Sequence, residues 1–199
     1  MWEQILPGLR IKLFMTIVLG VIYPLVMTGI SQVVFPRQAN GSLIKAGGKV
    51  IGSELIGQNF TSPKYFHGRP SVTTGTDASG NSVAQPYNAA NSYASNLGPT
   101  SKALVDRVTA DTAKLQAENP GKPVPVDLVT TSASGLDPDI TPASAYFQVL
   151  RVAKARNLPE DQLRQLVTDH IEGRFLGILG EPHVNVLKLN LALDALGSK

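Results

Sequence analysis

The sequence predicts a small α+β soluble domain, with a small sheet and about three helices, attached to one N-terminal transmembrane helix. Two observations carry this prediction: an uncharged apolar run from Leu13 to Phe35, and apolar residues at helical spacing in the second half of the chain. With 199 residues in all, the chain is long enough for one domain with a real core. We therefore expect a short tail over 1–12, a membrane helix over 13–35 and a soluble domain over 36–199.

Composition excludes several classes of function. The 18 Lys and Arg against 15 Asp and Glu leave a net charge of +3, which is too small an excess to indicate nucleic-acid binding. The chain contains no cysteine, so disulfides, cysteine nucleophiles and thiolate metal sites are excluded.

The apolar run is the strongest local signal. It contains no Asp, Glu, Lys, Arg or His, and as a helix it is long enough to cross a hydrocarbon core of about 30 Å. A cleavable signal peptide would have an apolar region of about 7–15 residues followed by a pair of small residues, and Ser31 to Phe35 offers no such pair. We expect an uncleaved anchor. Positive charges flank the run on both sides, so they do not choose its orientation.

Within the run, small or backbone-exposing residues recur every four positions at Thr16, Gly20, Pro24 and Thr28. This spacing places them on one helix face, where small residues let another membrane helix approach closely. The alternative is that these residue types are simply common in membrane helices. Pro24 lacks a backbone donor and predicts a kink.

Three helices are predicted after the anchor. The first begins after Thr100 or Ser101 and ends at 119–121; the second opens with Thr141 as a cap and a proline in its first turn; the third opens at 159–161. Short strands are expected at 124–129 and from Val184, and an edge hairpin at 49–56 around a Gly-Ser turn. The stretch 71–100 is rich in Ser, Gly, Asn and Thr and is interpreted as a long polar loop.

No motif predicts catalysis or a metal site. The three histidines stand far apart without an H-E-x-x-H pair, and no G-x-S-x-G elbow is present. The sequence from Gly47 to Lys49 resembles the end of a phosphate-binding loop, but Val50 replaces the required Ser or Thr and the first glycine is missing. No catalytic residue, metal ligand or cofactor-binding residue is therefore assigned.

Two Gly/Pro-rich segments, 52–60 and 63–71, concentrate aromatic and cationic residues. Such residues dominate the energetics of interfaces, which makes these loops a candidate recognition surface. The alternative is a loop held to the core by its aromatic side chains. The candidate interface residues are Gln58, Phe60, Tyr65, Phe66, His67, Arg69, Ser95 and Asn96.

At these residues the sequence resembles a known family. The similarity includes the anchor and the following segments in order: 38–43, 52–60, 65–71, 95–100, 126–130, 134–138, 140–142, 151–153, 184–187 and 191–194. The chain resembles the C subunit of the Kdp-type potassium-transporting P-type ATPase, a bacterial high-affinity potassium pump.

That resemblance implies a non-catalytic accessory subunit in the bacterial plasma (inner) membrane. Its partners would be a potassium-binding channel-like subunit, an ATP-hydrolysing catalytic subunit and a small peptide subunit. It would stabilise the complex and promote ATP use by the catalytic subunit. The family's proposed nucleotide signature is not matched here, because 91–94 reads Asn-Ser-Tyr-Ala. ATP is thus implied only by the resemblance, with no residue assigned.

The resemblance also implies a cytoplasmic N-terminus and a periplasmic soluble domain, which would separate the domain from cytoplasmic ATP. Any effect on ATP use would then be an allosteric coupling through membrane helices. The alternative function is a membrane-anchored extracytoplasmic binding module for another ligand. An anchored enzyme would require a nucleophile and base that the sequence does not show.

Overall fold

The computed structural model of the protein describes residues 2–197 and divides the chain into two compact units, Met1–Ile51 and Gly52–Lys199. Met1, Ser198 and Lys199, which belong to the predicted tail and soluble domain, lie outside the described residues.

The first unit begins with a long helix made of α1 (Trp2–Ile17), a π-helical turn (Val18–Ile22) and α2 (Tyr23–Val34). The span Glu3–Val34 is long and apolar enough to cross a membrane, with a mean hydropathy of 2.2. The residues expected to form a tail are helical from Trp2 onward.

The π-helical turn has a cause in the sequence. The amide of Tyr23 donates to the carbonyl of Val18, five residues earlier. Pro24 follows at once; it has no N–H, and its ring would clash with the carbonyl of Gly20 in a regular helix. The predicted disturbance at Pro24 therefore takes the form of a π-helical turn, a feature that is frequent at functional sites.

After the helix come a short α3 (Pro36–Ala39) and a hairpin of β1 (Leu43–Ala46) and β2 (Lys49–Ser53). The predicted hairpin around Gly52 was wrong in register. The turn lies at Gly47 and Gly48, whose φ values of 55° and 79° suit the tight type I′ connection, which needs two consecutive residues of positive φ. The apparent fragment of a phosphate loop is this turn.

The second unit is an α+β domain, which confirms the predicted fold class. Its elements in chain order are β3 (Thr74–Thr76), β4 (Ser82–Ala84), α4 (Lys102–Glu118), β5 (Asp139–Ile140), α5 (Pro142–Arg156), α6 (Glu160–Asp169), β6 (Ile171–Glu172), β7 (His183–Asn185) and α7 (Val186–Leu196). Strands β3 and β4 pair as an antiparallel hairpin, and β7 lies between β5 and β6 in a three-stranded antiparallel sheet.

The core lies between this three-stranded sheet and helices α5, α6 and α7. It contains twelve buried residues: Phe66, Ile140, Ala145, Val149, Val152, Ala153, Leu163, Val167, Val184, Val186, Leu189 and Leu193. All but the first come from these helices and strands, so Phe66 is the contribution of an irregular segment to the core.

The three predicted helices are present with the expected ends. Helix α5 is capped as predicted, since the hydroxyl of Thr141 accepts a hydrogen bond from the amide of Ser144 at 3.2 Å. A fourth helix, α7, was missed: Asn185 accepts from the amide of Lys188 and starts a helix where continuing strand alternation was expected.

The strand predicted at 124–129 was also wrong. Val126–Leu128 is a turn of 3₁₀-helix. Pro123 and Pro125 have no backbone N–H, so two donors are missing from any strand ladder in this stretch.

The polar stretch 71–100 is organised around buried Thr73 and contains the β3–β4 hairpin. The hydroxyl of Thr73 donates to the carbonyl of Gln85 at 2.6 Å and accepts from the amide of Asn88 at 3.0 Å. The buried hydroxyl of Thr73 thus connects two parts of a stretch whose composition indicates only a loop.

Candidate functional site

The segment 58–71 is fastened to the helical core of the second unit. Phe66 is 0% exposed, so this residue, predicted to lie at an interface, is a core residue instead. Phe60 packs against the same core and against Tyr65, with the two ring centroids 5.5 Å apart. The sequence left two alternatives for this segment: a recognition surface, or a loop held to the core by its aromatic side chains. These contacts match the second.

Two side-chain amides clamp the backbone of this segment. Asn190 of α7 accepts from the amide of Phe66 and donates to its carbonyl, both at 2.9 Å. Gln148 of α5 does the same to His67, accepting at 2.8 Å and donating at 3.0 Å. Each carboxamide replaces the strand partner that this irregular backbone lacks, so its buried polar groups are satisfied.

Two arginines of α5, Arg151 and Arg156, also hold the segment to the core. Arg151 donates to the carbonyls of Pro63 and Tyr65 at 2.8 and 3.1 Å and pairs with Glu118 at 3.3 Å. Arg156 donates to the carbonyl of Lys64 at 2.7 Å.

Arg156 also pairs with Asp194 at 2.6 Å, and its guanidinium stacks 4.7 Å from the centre of the Tyr65 ring. The hydroxyl of Tyr65 donates to the other carboxylate oxygen of Asp194 at 3.1 Å. These charge-assisted bonds are stronger than neutral ones and hold the segment in one conformation.

Sequence reasoning missed Gln148 and Asn190, although a signal for them exists. Both are polar residues at buried positions of otherwise apolar helix faces. A buried carboxamide must find hydrogen-bond partners, so such a residue predicts an irregular backbone packed against the helix.

A cleft of about 300 Å³ opens beside the fastened segment. Its wall includes residues of 59–71, of α4 and of α5, together with Tyr87. Its charged or titratable residues include His67, Arg69, Tyr87, Lys114, Glu118 and Arg151. Burial, and next the positive charge of Arg151, lower the pKa of His67. Burial, and next the charge of Asp137, raise the pKa of Tyr87 to about 12. At neutral pH the cleft therefore presents an uncharged imidazole and a protonated phenol.

The two arginines of the cleft are already engaged by the protein. Arg69 pairs with Asp137 at 3.0 Å and donates to the carbonyls of Thr130 and Thr131, and Arg151 pairs with Glu118. The volume lies at the lower end of ligand pockets.

Three of the predicted interface residues, Gln58, Ser95 and Asn96, do not line the cleft. The Gln58 side chain packs against Gly52, where an added Cβ would come within 2.5 Å of its amide nitrogen. Ser95 is half-buried and Asn96 is exposed with a φ of 51°, and neither lines the cleft. The structure thus places Phe60, His67 and Arg69 at the cleft and leaves the other predicted interface residues outside its lining.

The histidines do not form a metal centre within residues 2–197, where no group of three or more His, Asp or Glu side chains is placed to hold a metal ion. The Nδ1 of His170, at the end of α6, lies 2.7 Å from the carbonyl of Leu166. His183 lies 4.0 Å from Asp139 and 3.8 Å from Glu172.

On the long helix, the predicted partner face of Thr16, Gly20, Pro24 and Thr28 spans the π-helical turn. In a regular helix each step of four residues advances by about 40°, so the face would drift by roughly 120° between its ends. A π-helical turn holds more residues per turn and reverses part of that drift. Thr16 satisfies its hydroxyl on the carbonyl of Lys12 at 2.8 Å and does not need a partner for it.

Comparison with known proteins gives one consistent result. The family described as "KdpC: K+-transporting ATPase, c chain" matches residues 5–195. A protein of Rhodopseudomonas palustris (strain BisB18) called "Potassium-transporting ATPase KdpC subunit" is 63% identical over 98% of this chain and 99% of its own length. Proteins of the same name from Bradyrhizobium diazoefficiens and Methylobacterium nodulans are 61% and 59% identical, each over 100% of both chains. The chain therefore belongs to the KdpC family of potassium-transporting ATPase subunits.

Proposed function

We propose that this chain is a non-catalytic accessory subunit of an ATP-driven potassium uptake pump, and that it stabilises the complex and promotes ATP use by a partner subunit. The observation that carries the proposal is the family match over residues 5–195, together with relatives named as subunits of a potassium-transporting ATPase. The partners are a potassium-binding channel-like subunit, an ATP-hydrolysing subunit and a small peptide subunit.

The geometry of the domain supports a role without hydrolysis. The cleft is lined by arginines that hold the protein's own carboxylates and carbonyls, and by a histidine whose pKa burial lowers. No nucleophile hydrogen-bonded to a general base lines it among the residues described. A rigid, internally satisfied segment of this kind suits a structural role.

We place the long helix in the bacterial plasma membrane with the second unit on the outer face. An effect on ATP use then passes through helix contacts within the membrane, because the domain and the nucleotide lie on opposite sides. The face of Thr16, Gly20, Pro24 and Thr28 is the surface we propose for that contact, since small residues allow close packing in lipid.

The test compares the purified complex with and without this chain. We expect removal of the chain to raise the ATP concentration required for half-maximal potassium-stimulated hydrolysis, or to make the complex dissociate. The full-length chain alone in detergent should show no hydrolysis above background. Hydrolysis by the purified chain that disappears on substitution of one of its own residues would contradict the accessory role.

A further inference from the structure

The connection between β6 and β7 carries an exposed apolar tip. Phe175, Leu176, Ile178 and Leu179 expose 69%, 76%, 73% and 57% of their surfaces. Four large exposed apolar side chains lie within five consecutive residues, whereas single exposed apolar residues are ordinary on any surface. We call residues 175–179 the apolar tip.

The tip is rigid because its own backbone closes it. Phe175 donates to the carbonyl of Leu179 at 2.8 Å, and Leu179 donates back at 3.0 Å. At the base of the tip, Arg174 donates hydrogen bonds to both carboxylate oxygens of Glu181, each at 2.8 Å. A preorganised element loses little conformational freedom when it binds.

Leu176 combines an unfavourable backbone conformation with high exposure. It has a φ of 53°, in the left-handed region where a non-glycine residue is strained, and it is the most exposed residue of the tip. Glycine would adopt this conformation without strain, as Gly177 does next to it with a φ of 77°. A strained, solvent-exposed leucine points to a function outside the folded chain.

The charges around the tip argue against a lipid surface as its partner. Segments that dock on membranes carry uncompensated Lys or Arg beside their apolar residues. Here Arg174 is paired with Glu181, and Lys188 is paired with Glu172 at 2.9 Å and Glu54 at 3.5 Å. Both of these described cations beside the tip are therefore neutralised by carboxylates, and a neutral rim around apolar anchors is typical of a protein–protein contact.

We propose that the apolar tip is a docking element that inserts into an apolar pocket of another protein subunit of the pump. This inference rests on the proposed function for the identity of the complex. Leu176 and Ile178 are the anchors that enter the pocket, and the Arg174–Glu181 pair forms the polar rim.

The test uses the full-length chain expressed with the other pump subunits, with a tag on a partner subunit. Leu176→Gly removes the anchor and its strain together, so we expect the isolated chain to unfold at the same or a higher temperature while its recovery with the tagged partner falls by about tenfold. Ile178→Ser should also reduce recovery. The matched control is Leu55→Ser, at a leucine that is 62% exposed elsewhere on the same unit, which should change neither measurement.

Equal recovery of Leu176→Gly and the wild type would overturn the docking role, and lower thermal stability of Leu176→Gly would show that the leucine is structural. If the wild-type chain itself fails to co-purify with any partner, the proposed function fails rather than the docking role. A last arm addresses the bilayer: Phe175→Trp, in a chain whose only tryptophan is changed by Trp2→Phe, is placed in vesicles of brominated phosphatidylcholine. Unquenched fluorescence supports the protein pocket, and strong quenching would assign the tip to lipid.

Discussion

The side-chain amide of Asn190 forms two hydrogen bonds of 2.9 Å with the backbone of Phe66, one to its amide and one to its carbonyl. Both residues are buried. Helix α7 thereby supplies the backbone hydrogen bonds that a neighbouring strand would otherwise give. The irregular segment that receives them lies 124 residues earlier in the chain. Together with the equivalent contact of Gln148 on His67, this clamp defines the conformation of the candidate site.

Replacing Asn190 with leucine should destabilise the fold by about 2–4 kcal/mol, because it leaves a buried amide and a buried carbonyl without partners. Asn190→Asp keeps the acceptor for the Phe66 amide and should cost less at low pH, where the protonated acid can also donate. Chemical denaturation of the full-length chain in detergent measures both. Gln116→Leu on the exposed face of α4 is the control. Equal stability of Asn190→Leu and the control variant would show that the clamp contributes nothing.

Gly57→Ala should disturb the same site by a steric route. An added Cβ would lie 2.5 Å from a ring carbon of Tyr87 and 2.7 Å from the carbonyl of Asp137. Overpacking of this kind costs about 1–3 kcal/mol. Thermal unfolding measures the effect, and Gly98→Ala, where nothing lies within 4 Å, is the matched control. A neutral Gly57→Ala would mean that the Tyr87 loop moves freely.

His67 makes the stability depend on pH in a defined direction. Burial lowers its pKa in the folded protein, so the unfolded chain, with a histidine pKa of about 6.5, binds more protons. Stability is therefore full above about pH 6.5 and falls as the pH decreases toward the folded pKa, by at most about 1.4 kcal/mol per pH unit.

Denaturation of wild type and His67→Gln at pH 7.5 and pH 5.5 tests this assignment. The other histidines contribute equally to both proteins, so the difference in pH dependence belongs to His67. We expect a smaller loss between the two pH values in His67→Gln. An unchanged pH dependence would place the shifted group elsewhere.

Gly20→Leu should weaken assembly in the membrane. Nothing but the methyl of Thr16, at 4.0 Å, lies near a Cβ added at Gly20, so the change fits within the helix itself and acts only on an approaching neighbour. We expect lower recovery of this chain with its partners and slower potassium-stimulated ATP hydrolysis. Val21→Leu, off the face, should be tolerated. If Val21→Leu lowers recovery with the partners and Gly20→Leu does not, the contact lies on another face of the helix.

The proposed location of the second unit on the outer side of the membrane predicts labelling of intact cells. Ser79→Cys introduces the only thiol of the chain, at an exposed turn held by Asp77. Ser198 is an alternative position that lies outside the described residues. An impermeant maleimide should label Ser79→Cys in intact spheroplasts. Labelling that appears only after lysis would place the unit in the cytoplasm.

Local signals predicted the helices well and the strands poorly. Thr141 followed by a proline marks the start of α5, because the cap and the constrained first turn act within four residues. The strands are only two to five residues long and lie beside turns, so alternation alone misplaced them. At 184–186 the local pattern was the same for a strand and for the start of α7, and the cap made by Asn185 decided the outcome.

Sequence reasoning predicted only part of the candidate site, for a different reason. Aromatic and arginine residues in 58–71 indicated that the segment matters, but its fastening depends on Gln148, Arg151, Arg156 and Asn190, far along the chain. Contacts of this range leave no trace in local periodicity. The burial of Phe66 in the core follows from them, and local sequence could not show it.

The amide clamps also set an order of events during synthesis. The segment 58–71 leaves the ribosome early, yet its partners on α5 and α7 are made about 80 and 120 residues later, and translation adds roughly 5–20 residues per second. For that interval the backbone of Phe66 and His67 has only water to bond. A chain interrupted before α7 would present this segment unfastened, with a large aromatic side chain uncovered, and would be a ready substrate for quality-control proteases.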